Sequence, residues 1–307
     1  MQGRKRVYLH IGQDKAGSTA IQVFLARNHE RLTAMDYDTV GGRVNHHGRV
    51  HRAALGADQA ALAEVTRYIA DSPVRNHVMS FEGFYAVSDE VLPRLLEPLR
   101  DFDVVVIFYV RRRSDKFRSG FAQNLKLQNP DQVDEVLAVI NGDVDKLRPA
   151  KRRNMDYLGV VRRWQNHLAQ LGADNEFRLR VYERSSFADG DLLTDFGRTI
   201  GLLGERQSLE EAQLQRPAEH SNPSLSPAAQ YLTIFSKALQ PTPEQARKLE
   251  RMLAAADEPG SNRGSMISDR IAKSLDSRFA RDDKVLAREF FGRRTLFREP
   301  VKTHYAW

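Results

Sequence analysis

VYLHIGQDKAGSTAIQVF, residues 7–24, passes from a short apolar segment through a Gly-containing turn into an amphipathic helix. A strand, loop and helix of this kind suits an anion. A helix N-terminus presents unpaired backbone N–H groups and a partial positive charge, so a phosphate placed there is held without further machinery. Lys15 adds a full positive charge, and Ser18 and Thr19 add hydroxyl donors at the helix start. Gly12 and Gly17 open backbone conformations closed to other residues and let an anion approach closely. Ile21, Phe24 and Leu25 then recur at helical spacing. The order disfavours a Walker A loop, and with it a magnesium-dependent NTPase. That loop needs Gly, Lys and Ser or Thr in direct succession, whereas here Lys15 precedes Gly17. A turn that joins strand to helix and binds nothing is the plain alternative.

Outward from this segment, strands and helices alternate. Residues 35–52 are polar and rich in Gly and His, and read as a loop beside the site; residues 53–70 carry a helical pattern. NHVMSF, residues 76–81, reads as a second strand, and residues 90–99 as a helix interrupted by prolines. DVVVIFYV, residues 103–110, is a continuous apolar run that suits a parallel sheet covered on both faces. A helix over 114–127, an amphipathic helix over 157–171, a strand over 177–182 and a helix over 192–202 follow. The pattern predicts an α/β fold: a central parallel sheet flanked by helices, joined by right-handed crossovers. From QRPAEHSNPSLSP, residues 215–227, the composition shifts to that of an irregular loop, and the remainder reads as mostly helical. The expected organisation is one α/β core over 1–214, with a loop and helical C-terminal extension over 215–307 packed on the same domain.

A chain of 307 residues with 41% hydrophobic content can bury a sizeable core. Its longest strongly apolar run, residues 104–110, is too short to cross a bilayer, and MQGRKR leads straight into the first strand rather than into a signal-peptide core. The expectation is a protein without a transmembrane segment, located in the cytoplasm. The absence of cysteine excludes disulfides and thiolate metal sites. A formal charge of +7 favours anionic partners, which charge alone does not choose among. Lys and Arg are spread along the chain without zinc-finger or RNA-binding signatures, so nucleic acid is not expected as a partner.

A second anion cradle follows the strand at 103–110, which runs into Arg111, Arg112 and Arg113 and then into a helix whose expected cap is Ser114. Ser119 lies inside that helix, where its hydroxyl and a strand-end guanidinium could grip one phosphate. The bland alternative is a solvated basic edge. Two cradles at successive carboxyl ends of a parallel sheet suit a ligand with phosphates at separate positions rather than a triphosphate.

At this point the chain resembles the sulfotransferases that use 3′-phosphoadenosine 5′-phosphosulfate (PAPS). His10 to Thr19 is similar to the opening HIG, two variable residues, K, T, G, T or S, T of bacterial members, with Ala16 in the first Thr position. Arg111 and Ser119 match the family's Arg followed eight positions later by Ser. VMSFEGF (78–84), FAQNLK (121–126), MDYLGVVRRW (155–164), RVYERSSFADGDLLTDF (180–196), NPSLSP (222–227) and LAREFFGRRTLF (286–297) resemble further family segments. Departures are Arg113, where the family often has Pro, and Lys116, where it often has Arg.

The resemblance implies a P-loop NTPase-like sulfotransferase fold and an enzyme that moves a sulfuryl group from PAPS to a carbohydrate, glycolipid or small-metabolite acceptor. The product nucleotide is adenosine 3′,5′-bisphosphate (PAP). It implies that Lys15, Ala16, Gly17, Ser18 and Thr19 hold the 5′-phosphosulfate, that Arg111 and Ser119 hold the 3′-phosphate, and that Tyr182 lies near the adenine ring. Lys15 and the acid Glu82 are the expected catalytic groups. His51 competes with Glu82 for the role of base, as do His46 and His47, since some branches use histidine. No metal is expected. His10 is expected to be structural, and the loop containing His220, Ser221 and Asn222 to close over a ligand or serve as a connector. A nucleotide-dependent kinase and a basic polyanion-binding protein are the competing readings.

Overall fold

The computed structural model of the protein describes residues 4–41, 47–126, 154–172, 174–217, 242, 244–245, 248 and 269–301. Its strands are β1 Arg6–His10, β2 Tyr37–Thr39, β3 Asn76–Ser80, β4 Asp103–Val110 and β5 Glu176–Val181. All pair in parallel, in the order β2-β3-β1-β4-β5. The α/β fold with a central parallel sheet is therefore as expected. β1 lies in the middle, with His10 opposite Ser80 on one side and Ile107 on the other.

Apolar residues cover both faces, which is why β4 reads as an unbroken hydrophobic run. On one face Val7, Leu9, Met79, Val104, Val106, Phe108 and Val110 pack with Leu62, Ile69, Tyr157, Val161 and Trp164. These come from α4 Gln59–Asp71 and the helix Tyr157–Leu171, labelled α7 below. On the other face Tyr8, Val78, Val105, Ile107 and Tyr109 pack with Ile21, Phe24 and Leu25 of α1 Ser18–Arg27 and with Phe196 of α8 Leu192–Thr199. Each such side chain contributes about 1.5–3 kcal/mol by leaving water. α1 packs on the opposite face of the sheet from α4 and α7, so the connection leaving β1 departs to the other side from those that follow β2 and precede β5, the arrangement that in open parallel sheets favours ligand binding at the carboxyl ends of the strands.

Three local readings need correction. The loop at 35–52 contains a strand, since Tyr37–Thr39 pairs with β3 at the sheet edge. The single helix at 53–70 is two, α3 Gly48–Leu55 and α4, because Gly56 caps the first and the Asp58 carboxylate accepts from Ala61 N to start the second. Ser114 is not a cap. Helix α6 Arg113–Lys126 begins one residue earlier, and the Ser114 N–H and hydroxyl both donate to Asp276 of α9 Asp269–Arg278. Further described helices are α2 His29–Ala34, α5 Leu92–Leu96 and α10 Ala280–Phe291.

Contacts divide the chain into two compact units, one of residues 1–111, 156–219 and 283–299, the other of 112–155, 220–282 and 300–307. The first holds the sheet. Within the second, Arg113 is buried, donates to Met155 O and lies over the Phe279 ring, while Arg118 pairs with Asp269. Arg113 thus has no place in a solvated basic edge. Among the described residues, no helix is long and apolar enough to cross a membrane.

Candidate functional site

The loop after β1 is fastened from both sides. Ile11 N donates to Ile107 O, Gln13 N to Tyr109 O and Tyr109 N to Gly12 O, which extends the pairing of β1 with β4 past its strand end. On the β3 side, Phe81 N donates to His10 O and Tyr85 N to Ile11 O. Tyr85 Oη also donates to the Asp14 carboxylate at 2.7 Å. Gly12, at φ +106°, lies so close to Glu82 that an added Cβ would stand 2.9 Å from the Glu82 Cα. Lys15 takes a positive φ of 63°, and Gly17, at φ 79° and ψ 10°, is the left-handed N-cap of α1. Gly17 gives the first turn no side-chain cap, and no acidic residue lies in that turn. Main-chain donors there suit an external anion.

Arg111 stands at the end of the neighbouring strand and turns toward this loop. Its Nη1 donates to Lys15 O at 2.8 Å, and its guanidinium carbon lies 5.5 Å from the Tyr182 ring centroid. Tyr182 stays in place because its N–H donates to Val110 O and its ring meets Phe187 edge-on. Gly17 is hemmed by the same ring, since a Cβ there would lie 2.9 Å from Tyr182 Cε2 and 2.3 Å from Leu192 Cδ2. Lys15, Gly17, Arg111 and Tyr182 are thus brought together. Ala16 and Ser18 are buried and Thr19 is exposed. Ser119 falls in the second unit, on α6, where it is half-buried.

Two residues that local sequence reasoning passed over hold Arg111. Tyr157 Oη donates to Arg111 O at 2.7 Å, and buried Gln13 donates from Nε2 to Tyr157 Oη at 3.0 Å. Nothing in the sequence near Gln13 announces a partner on α7.

Glu82 follows β3 and faces α1, where Gln22 Nε2 donates to its Oε2 at 2.9 Å. His51 on α3 packs against the rings of Phe81 and Phe84, and burial, with Arg52 beside it, lowers its pKa. His47 is buried, its Nδ1 accepting from Ser80 N and its Nε2 directed at Val40 O, so both ring nitrogens hold the loop in place. His46 and the loop of His220, Ser221 and Asn222 lie outside the described residues. Among the described residues, no group of three or more His, Asp or Glu side chains could hold a metal ion.

His10 is fully buried between Tyr109 and Phe196, with Nδ1 2.7 Å from Ser80 Oγ. Burial pushes its pKa from 6.5 down to about 3. Between those values the unfolded chain binds a proton that the folded chain refuses. Stability supplied by neutral His10 is therefore complete above 6.5 and is lost as pH falls toward 3, by up to about 1.4 kcal/mol per pH unit. Urea denaturation at about pH 7 and about pH 5 should record that loss, and it should shrink in His10→Gln. His77, also lowered by burial, supplies part of what remains.

Compared with protein-family models, with curated proteins and with solved structures, the chain matches none.

Proposed function

We propose that the protein is a PAPS-dependent sulfotransferase acting on a hydroxyl or amine of a carbohydrate, glycolipid or small-metabolite acceptor. The observation that carries this reading is the meeting of Arg111 with the Lys15 loop at the carboxyl ends of two adjacent parallel strands. An anion at the α1 N-terminus and a second one on Arg111 suit a nucleotide with phosphates at separate positions. The residues fit such a ligand: α1 lacks a side-chain cap, and Arg111 has five N–H donors, of which Nη1 already spans to Lys15 O.

PAPS supplies the activated sulfuryl group and a phosphate leaving group. Lys15 and the N–H groups that open α1 would take the negative charge that develops on the leaving oxygen as the acceptor attacks in line. Glu82 would accept the proton of an attacking hydroxyl. Tyr182 would flank the adenine ring while its other neighbour, Arg111, takes the 3′-phosphate.

Calorimetry tests the assignment. PAP should bind without metal, and ATP with magnesium should not compete. Binding of ATP with magnesium and none of PAP would establish the kinase reading instead. Comparable affinity for unrelated DNA duplexes, falling steeply with salt and indifferent to PAP, would establish a polyanion binder. Arg111→Ala should weaken PAP about thirtyfold, the equivalent of about 2 kcal/mol for a hydrogen bond to a charged group. An unchanged affinity would remove Arg111 from the site.

A further inference from the structure

We propose that Gln22 is a positioning residue for Glu82, an inference that rests on the sulfotransferase reading. Gln22 is a polar side chain only 7% exposed, on the second turn of α1, and its amide donates to Glu82 Oε2 at 2.9 Å. It stands four residues after Ser18, so the two buried side chains share one helix face. α1 rises about 5.4 Å per turn, so the residue that holds the carboxylate springs from the helix about one turn from the end that would receive the phosphosulfate.

The main chain of Glu82 is fixed independently. Gly12 packs against its Cα, and the Phe81 and Tyr85 N–H groups donate to His10 O and Ile11 O on either side of it. That leaves the side-chain torsions of Glu82 as the remaining freedom, and the Gln22 amide restricts them. An amide suits this task. It donates to one carboxylate oxygen without adding charge and without competing for a proton, which leaves the other oxygen for the acceptor hydroxyl. In the step served, the acceptor O–H passes its proton to the Glu82 carboxylate, the acceptor oxygen forms the new bond to sulfur, and the bond from sulfur to the 5′-phosphate oxygen breaks with its electron pair going to PAP.

The test is a double-mutant cycle between Gln22→Leu and Glu82→Gln, read as incorporation of labelled sulfate from PAPS into an extract of the source cells, with PAP affinity measured on each variant. Gln22→Leu should slow incorporation about tenfold at unchanged PAP affinity, and should slow Glu82→Gln by less than about twofold, because the group it positions is gone. Equal slowing in both backgrounds overturns the role of Gln22 alone. Gln22→Glu provides a second readout. Two carboxylates within hydrogen-bond distance share a proton, so the acid limb of the rate profile should move up by about one pH unit or more. An acid limb that stays in place overturns the proposal even where Gln22→Leu fails to fold. A wild-type protein that binds no PAP, or that binds it and labels nothing, overturns the functional reading itself and the inference with it.

Discussion

Replacing Lys15 by alanine is expected to slow sulfuryl transfer by about a hundredfold or more, the usual loss when a preorganised donor to developing charge is removed. The fold should survive. The carbonyl of Lys15 accepts from Arg111 Nη1, and alanine keeps that carbonyl. Its positive φ of 63° is no worse for alanine than for lysine, since both carry a Cβ. The loop is also tied down by Gln13 to Tyr109 and by Asp14 to Tyr85, and neither tie passes through the Lys15 side chain. The charge on the leaving oxygen exists mainly in the transition state, so the loss should fall on the rate constant more than on PAP affinity. Single-turnover transfer of labelled sulfate, with calorimetry on the same preparation, separates the two. A Lys15→Ala protein that transfers at the wild-type rate would leave the first cradle without a catalytic role.

The parts of this site that were legible in the sequence are those made by neighbours along the chain. β1, its Gly-bearing loop and α1 are a local unit, and the apolar run of β4 identifies itself because it is buried on both faces. β2 carries no strand signature in the sequence because three residues at a sheet edge leave no periodicity to count. Ser114 has the residue type of a cap, but the acceptor at that helix start is Asp276, far along the chain. The adjacency of β1 and β4 is a matter of crossover topology, which the order of elements alone does not determine. Gln13 and Tyr157, or Gln22 and Glu82, are recognisable as pairs only once the sheet has brought them together. Sequence pattern thus located the two strand-to-helix segments, while the contacts that hold them in place are tertiary.

Gly12→Ala is expected to lower folding stability by about 2–6 kcal/mol, from about 1–3 for a side chain at an unfavourable positive φ and a similar amount for overpacking. The clash is with main chain. An alanine Cβ would stand 2.9 Å from Glu82 Cα and 3.0 Å from Glu82 O, and no rotamer can relieve it. Gly17 differs in kind: its would-be neighbours are the ends of Leu192 and Tyr182, side chains with torsions to adjust. Movement at Gly12 is opposed on both sides, since its carbonyl accepts from Tyr109 N and the facing segment is bound through Phe81 N and Tyr85 N to the same strand end. Gly120→Ala supplies a control of opposite sign. That glycine is inside α6 at an ordinary helical conformation, with nothing within 4 Å of an added Cβ. There the alanine should add about 0.5–1 kcal/mol through helix propensity and a less free unfolded chain. Urea denaturation of the two variants beside wild type checks both signs, and a Gly12→Ala protein as stable as wild type would show that the close approach to Glu82 is not a constraint. Because the same approach fixes the main chain of Glu82, any Gly12→Ala protein that folds should also bind PAP more tightly than its residual transfer rate suggests, as the cradle end of the loop is spared and the carboxylate is displaced.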